Sequence, residues 1–147
     1  MNITVSPFKD QGTIPAAFTC DGANINPAIL IREIPEQTKS FAVTMVDIDS
    51  TYGLFVHWIM FNIPVTARIE KNSSQGEVGL NDFKTLGYGG PCPHSGTHRY
   101  EFRLYALECF LELKRGCSLA ELENAMIGHI LESSLCTGTY GRPPERS

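Results

Sequence analysis

Three stretches of the chain carry side chains suited to polar chemistry. The first is Asp47-Ile48-Asp49, at the end of an apolar run. In an extended strand, residues two apart share a face. The carboxylates of Asp47 and Asp49 therefore leave the core side by side, although Asp is also a common turn former. The second is His57-Trp58, inside the apolar segment Phe55–Ile63. A buried imidazole needs a hydrogen-bond partner. A carboxylate such as Asp47 would supply one and favour the charged ring. The third is the longest, Gly87-Tyr88-Gly89-Gly90-Pro91-Cys92-Pro93-His94-Ser95-Gly96-Thr97-His98-Arg99-Tyr100. Glycines let backbone N–H groups approach a ligand closely. Prolines stiffen the loop before any ligand arrives. His98 and Tyr100 then fall on one face of a strand. Backbone N–H, imidazole and phenol are all donors, which suits an anion. The same stretch also reads as a plain Gly/Pro-rich connection between strands.

Two other chemistries use overlapping residues. Cys92 with a histidine and an aspartate would make a thiol hydrolase if its thiolate were stabilised. Prolines flank Cys92 on both sides, and no base is placed by the spacing. His57, His98, Asp47 and Cys92 are also zinc-ligand types, but their spacing fits no compact zinc motif. The residues alone reach no further than a possible polar pocket, with no catalytic residue, no metal and no cofactor expected. The hydrolase and the metal protein are the alternatives.

These segments lie far apart in sequence, so only a fold can gather them. Strands are expected over 28–34, 40–47, 55–63 and 98–108, after an opening strand and turn in 1–18. Along 98–108, His98, Tyr100, Phe102, Leu104 and Ala106 share one face, and Arg99, Glu101, Arg103 and Tyr105 the other. Residues 66–80 read as polar and irregular. Ser118-Leu119-Ala120-Glu121 fits a capping box and predicts a helix over 118–133. Its apolar stripe would be Leu119, Leu122, Ala125, Met126, Ile130 and Leu131. One mainly-β domain over 1–147, with a C-terminal helix, is the simplest organisation.

Composition narrows the functional class. Of 147 residues, 42% are hydrophobic and 19% charged, a globular balance. The formal net charge of −4 argues against broad binding to nucleic acid or an anionic membrane, but leaves room for one local anion pocket. No run is long and apolar enough to cross a membrane, and the first residues lack a signal-peptide pattern. A cytoplasmic location is therefore expected. The five cysteines (Cys20, Cys92, Cys109, Cys117 and Cys136) include no C-x-x-C pair. They are expected to be free, mostly buried thiols.

The quoted segments resemble the phosphatidylethanolamine-binding protein (PEBP) family. Asp47-x-Asp49 followed by His57-Trp58 is similar to its first signature. Gly87-Tyr88-x-Gly90-Pro91-x-Pro93, through Gly96-x-His98-Arg99-Tyr100, is similar to its second. Thr19-Cys20-Asp21-Gly22 with Asn26-Pro27, Ala125-Met126-x-Gly128-His129-x-Leu131 and Gly138-Thr139-Tyr140-Gly141-Arg142 resemble further segments of the bacterial Raf-kinase-inhibitor-like branch (YbhB/YbcL). Ile48 and Ser50 stand where the first signature normally has prolines, so the loop before His57 is expected to be less rigid. The resemblance implies two antiparallel sheets in a Greek-key β-sandwich. It also implies a small pocket for phosphate, phosphoethanolamine or a similar anion. Asp47, His57, Gly90, Pro91, His98 and Tyr100 would line that pocket, and Asp49 would brace its rim. The partners it implies are a small anion or a phosphorylated protein, such as a kinase or other signalling partner regulated by binding. It is compatible with a homodimer.

Overall fold

The computed structural model describes residues 1–143. The chain is mainly β, with two antiparallel sheets and one helix, as the sequence leads one to expect. Strands β1 (Asn2–Ser6), β2 (Ala28–Arg32) and β5 (Arg68–Ile69) form the smaller sheet in the order β1-β2-β5. The larger sheet contains β3 (Ser40–Asp47), β4 (Phe55–Pro64), β6 (Glu77–Val78), β7 (Thr97–Leu107) and β8 (Ile130–Gly141). Its order is β6-β4-β3-β7-β8.

The main core fills the space between the sheets. Val5, Ile29, Ile31 and Ile69 of the smaller sheet meet Phe41, Val43, Met45, Trp58, Met60, Phe102 and Leu104 of the larger. A second cluster covers the opposite face of β3 and β4. There Ala42, Ile59 and Phe61 pack with Leu111, Cys117, Leu122 and Met126. Burial on both faces explains why 40–47 and 55–63 read as continuous apolar runs instead of alternating. Strand β7 has only one face in the main core and keeps the expected alternation.

Helix α1 (Leu119–Met126) begins where the capping box places it. Ser118 Oγ accepts from the Glu121 N–H at 3.1 Å, and the Ser118 N–H donates to Glu121 Oε1 at 3.0 Å. It ends seven residues before the expected boundary at 133. Gly128 adopts a φ of 81°, which takes the chain out of the helix. Ile130 and Leu131 then join β8, which pairs with β7 from Leu107↔Ile130 to Thr97↔Gly141. Pairing along a whole strand outweighs one more helical turn. Residues 66–80 also hold the short strands β5 and β6, which their polarity hides.

The thiol reading needs correction. Cys20 and Cys92, 72 residues apart, form a disulfide, and Cys109, Cys117 and Cys136 are free. The early loop and the Gly/Pro-rich loop meet in the fold, and the Cys20 N–H donates to the Pro91 carbonyl at 3.1 Å. Among the described residues, no helix is long and apolar enough to cross a membrane.

Candidate functional site

The end of β3 lies beside the starts of β4 and β7, because antiparallel neighbours place these ends together. Asp47 pairs in register with Phe55 on one side and Tyr100 on the other. A cavity of about 140 Å³ opens at this edge, walled by Asp47, Phe55, His57, Phe83, His98 and Tyr100. Tyr52 and His94 contribute at the exposed rim. This is below the roughly 300–1,000 Å³ of a drug-sized pocket, so its natural occupant is small.

Asp47 is buried, and each of its oxygens has a partner. One carboxylate oxygen accepts from the Asp49 N–H at 2.8 Å, and the other faces His98 Nδ1 at 2.6 Å. A carboxylate only accepts, so His98 Nδ1 carries the proton and Nε2 is left over. Asp47 therefore serves His98 and not His57, which corrects the pairing expected from sequence.

His57 finds its partner in the backbone. Its Nδ1 donates to the Gly89 carbonyl at 2.6 Å, and the Gly89 N–H returns a bond to the His57 carbonyl at 2.8 Å. The strand supplies His57 through an irregularity. Met45 pairs with Trp58 and Val46 with Val56, so His57 is the extra residue of a β-bulge. In unbroken alternation it would share the face of Ile59 and Phe61, beneath α1. The bulge re-aims it toward Tyr100, whose ring it meets edge-on at 5.2 Å. Burial lowers the pKa of His57, opposed by the Gly89 carbonyl and, more weakly, by Asp47, the Gly90 carbonyl and Asp82.

Tyr100 is fully buried at the floor of the cavity. Its hydroxyl completes no hydrogen bond of good geometry among the described residues, although the Asp47 carboxylate lies close enough to act on it. Burial, and then the Asp47 and Asp49 carboxylates, push its pKa up, so it stays a phenol and a donor. Asp49 lies outside the cavity wall and ties the turn after β3 to Arg99. Its carboxylate takes Arg99 Nε at 2.9 Å and Nη2 at 2.8 Å, and also accepts the Arg99 N–H at 2.9 Å. These bonds hold its carboxyl down to about 2. At the first departure from the signature, the Ile48 N–H donates to the Arg99 carbonyl at 3.1 Å, a bond proline could not make.

Gly90 and Pro91 are buried behind the cavity and do not wall it. The glycine N–H groups do not turn toward a ligand either. Gly87 donates to Gly79, Gly89 to His57 and Gly90 to Asn24 Oδ1. Gly90 is required for packing, since a Cβ there would lie 2.3 Å from the Phe18 carbonyl oxygen. Cys92 does reach the cavity wall, but as a disulfide sulfur it is no nucleophile, so the hydrolase reading loses its thiolate. Among the described residues, no three His, Cys, Asp or Glu side chains gather into a metal site.

Sequence reasoning missed the aromatic wall. Phe83 packs edge-on against Phe55 at 4.8 Å and against His57 at 5.2 Å. Buried Asn81 holds it there: its Oδ1 accepts from the Phe83 and Thr85 N–H groups, and its Nδ2 donates to the Gly87 carbonyl. Asn81-Asp82 ahead of Phe83 was the available signal, an Asx turn presenting an aromatic ring.

The family described as phosphatidylethanolamine-binding protein matches residues 4–141. The chain is 43% identical over 150 residues to a UPF0098 protein of Methanothermobacter thermautotrophicus, covering 97% of this chain and 99% of that protein. It is 40% identical over 152 residues to a UPF0098 protein of Aquifex aeolicus, covering 97% and 89%. Such relatives include archaeal proteins, so the likeness is not confined to a bacterial branch. In three dimensions it is similar to a PEBP homolog from Chlamydia trachomatis, with a TM-score of 0.93, 31% identity and 97% of each chain covered. It is also similar to Escherichia coli YbcL, described as a member of the mammalian PEBP family, with a TM-score of 0.87, 26% identity, and 97% and 98% covered. With a match that begins in β1 and ends in β8, the chain belongs to the phosphatidylethanolamine-binding protein family.

Proposed function

We propose that this protein binds a small oxyanion, typified by a phosphate group, in the cavity at the end of β3, β4 and β7. The observation that carries this reading is the Tyr100 hydroxyl, a buried donor without a hydrogen-bonded protein partner, at a largely apolar cavity that also holds two imidazoles and a carboxylate. Leaving such a group unsatisfied costs about 1–3 kcal/mol, which a ligand oxygen would recover. His98, fixed by Asp47, offers its Nε2 as a second contact. The small volume favours a phosphate, a head group such as phosphoethanolamine, or a phosphorylated side chain over a whole cofactor. Binding to a phosphorylated partner protein, and regulation of a kinase by that route, would use the same group.

The test is an NMR titration with inorganic phosphate, phosphoethanolamine and a phosphoserine peptide, following the imidazole signals of wild type and His98→Ala. Saturable shifts at His57 and His98 that disappear in the variant are expected. A tighter response to the peptide than to the free head group would favour a protein partner. No response at millimolar ligand would overturn the anion pocket.

A further inference from the structure

Resting on the anion-pocket reading, we propose that the cavity selects oxyanions that still carry a proton, such as hydrogen phosphate or a phosphate monoester. Fully deprotonated oxyanions such as sulfate would be rejected, with His57 as the specificity-determining residue. The argument begins with tautomers. The Gly89 carbonyl has no proton to give, so at 2.6 Å the hydrogen must sit on His57 Nδ1. The neutral ring then presents Nε2 as a bare acceptor, and Nε2 has no partner among the described hydrogen bonds. Asp47 turns His98 Nδ1 toward itself and leaves the other ring nitrogen for a ligand. One acceptor nitrogen, His57 Nε2, thus belongs to a cavity meant for an anion.

The charges around the cavity point the same way. No Lys or Arg side chain is in its wall, and Arg99 is occupied by Asp49. The groups that bear on His57 are Asp47 from β3, Asp82 from the loop after β6, and Tyr100 from β7. Two of these are carboxylates and the third is a neutral phenol. The neighbouring Phe55 and Phe83 rings bring no charge. Nothing in this set compensates a bare dianion, whose oxygens would face the Nε2 lone pair and the Asp47 charge. A P–OH group instead donates to Nε2 while another phosphate oxygen accepts from Tyr100. Burial also disfavours the imidazolium, so His57 does not readily turn its acceptor into a donor. A phosphate monoester has its second pKa at about 6, which keeps a protonated form within reach at neutral pH. Sulfate has no such form.

Calorimetric titration of the wild-type protein at neutral pH with inorganic phosphate and with sulfate tests this. Phosphate is expected to bind at least ~10-fold more tightly, the scale set by one unsatisfied buried contact. ¹⁵N NMR of the histidines should show His57 protonated at Nδ1 and bare at Nε2, with phosphate shifting the Nε2 signal. His57→Gln, whose amide offers a donor as well as an acceptor, should bring the two affinities to within about threefold. Should that variant misfold, the wild-type ratio and the Nε2 signal decide. Saturable binding of both anions with equal affinity would overturn the selectivity and leave the anion pocket standing. Binding of neither would overturn both.

Discussion

His98 and Asp47 stand 51 residues apart in sequence and 2.6 Å apart in space, joined across the end of the β3–β7 pair. The contact ties the orientation of one pocket imidazole to a carboxylate that also holds the turn out of β3 through the Asp49 N–H. His98→Ala should therefore weaken phosphate binding by about tenfold and also lower stability by about 1–3 kcal/mol, because it leaves the buried Asp47 carboxylate without its imidazole partner. Asp47→Asn should weaken binding and also lower stability by about 1–3 kcal/mol, since it disturbs a buried charge-assisted pair. Calorimetric titration alongside urea denaturation separates the two effects.

Tyr100→Phe is expected to leave stability unchanged, or to raise it by up to about 1 kcal/mol. The hydroxyl it removes is buried and unpaired. The same change should reduce anion affinity several-fold. A variant that loses stability would mean the hydroxyl has a partner inside the protein.

Acid should destabilise the protein in two separate steps. Folding lowers the pKa of His57 below its ordinary 6.5, so just below that pH the unfolded chain binds a proton that the folded chain refuses. The His57 contribution is complete above 6.5 and declines as the pH falls from there toward the folded pKa. His57→Phe should flatten this part of a urea-midpoint profile. Asp49 acts in a second window, its contribution declining as the pH falls from 3.8 to about 2. Asp49→Asn should flatten that part alone.

The Cys20–Cys92 bond closes a loop spanning 72 residues of sequence separation, for which chain entropy predicts a stabilisation of roughly 4 kcal/mol. Cys20→Ser/Cys92→Ser, or wild type in strong reductant, should lose up to that amount in urea denaturation. An equal midpoint with and without reductant would show that the bond does not form in solution.

The strands were legible because their signal is local. Apolar runs and the alternation from His98 to Ala106 need no knowledge of partners, and the Ser118/Glu121 capping box marked the start of α1 to the residue. The far end of α1 was not legible. Ile130 and Leu131 fit a helical stripe, and only pairing with β7 makes them strand. In the site, Asp47, His57, His98 and Tyr100 were identified by type and do meet at one cavity. Their partners were not, because the bond from His57 to the Gly89 carbonyl involves a backbone atom that every residue has. Gly90 was singled out for ligand approach, whereas its lost side chain makes room for the Phe18 carbonyl. The disulfide escaped because the spacing of 20 and 92 carries no sign that two loops touch.

The bulge at His57 makes the candidate site separable from the scaffold that displays it. Deleting this single residue would let Val46↔Val56 and Met45↔Trp58 continue as one unbroken ladder, with both hydrophobic clusters intact. The result would be a folded protein with half its imidazole pair missing. One inserted residue in β4 therefore decides whether this strand end presents an imidazole to the cavity. A descendant could lose or regain that imidazole by an in-frame step of one codon.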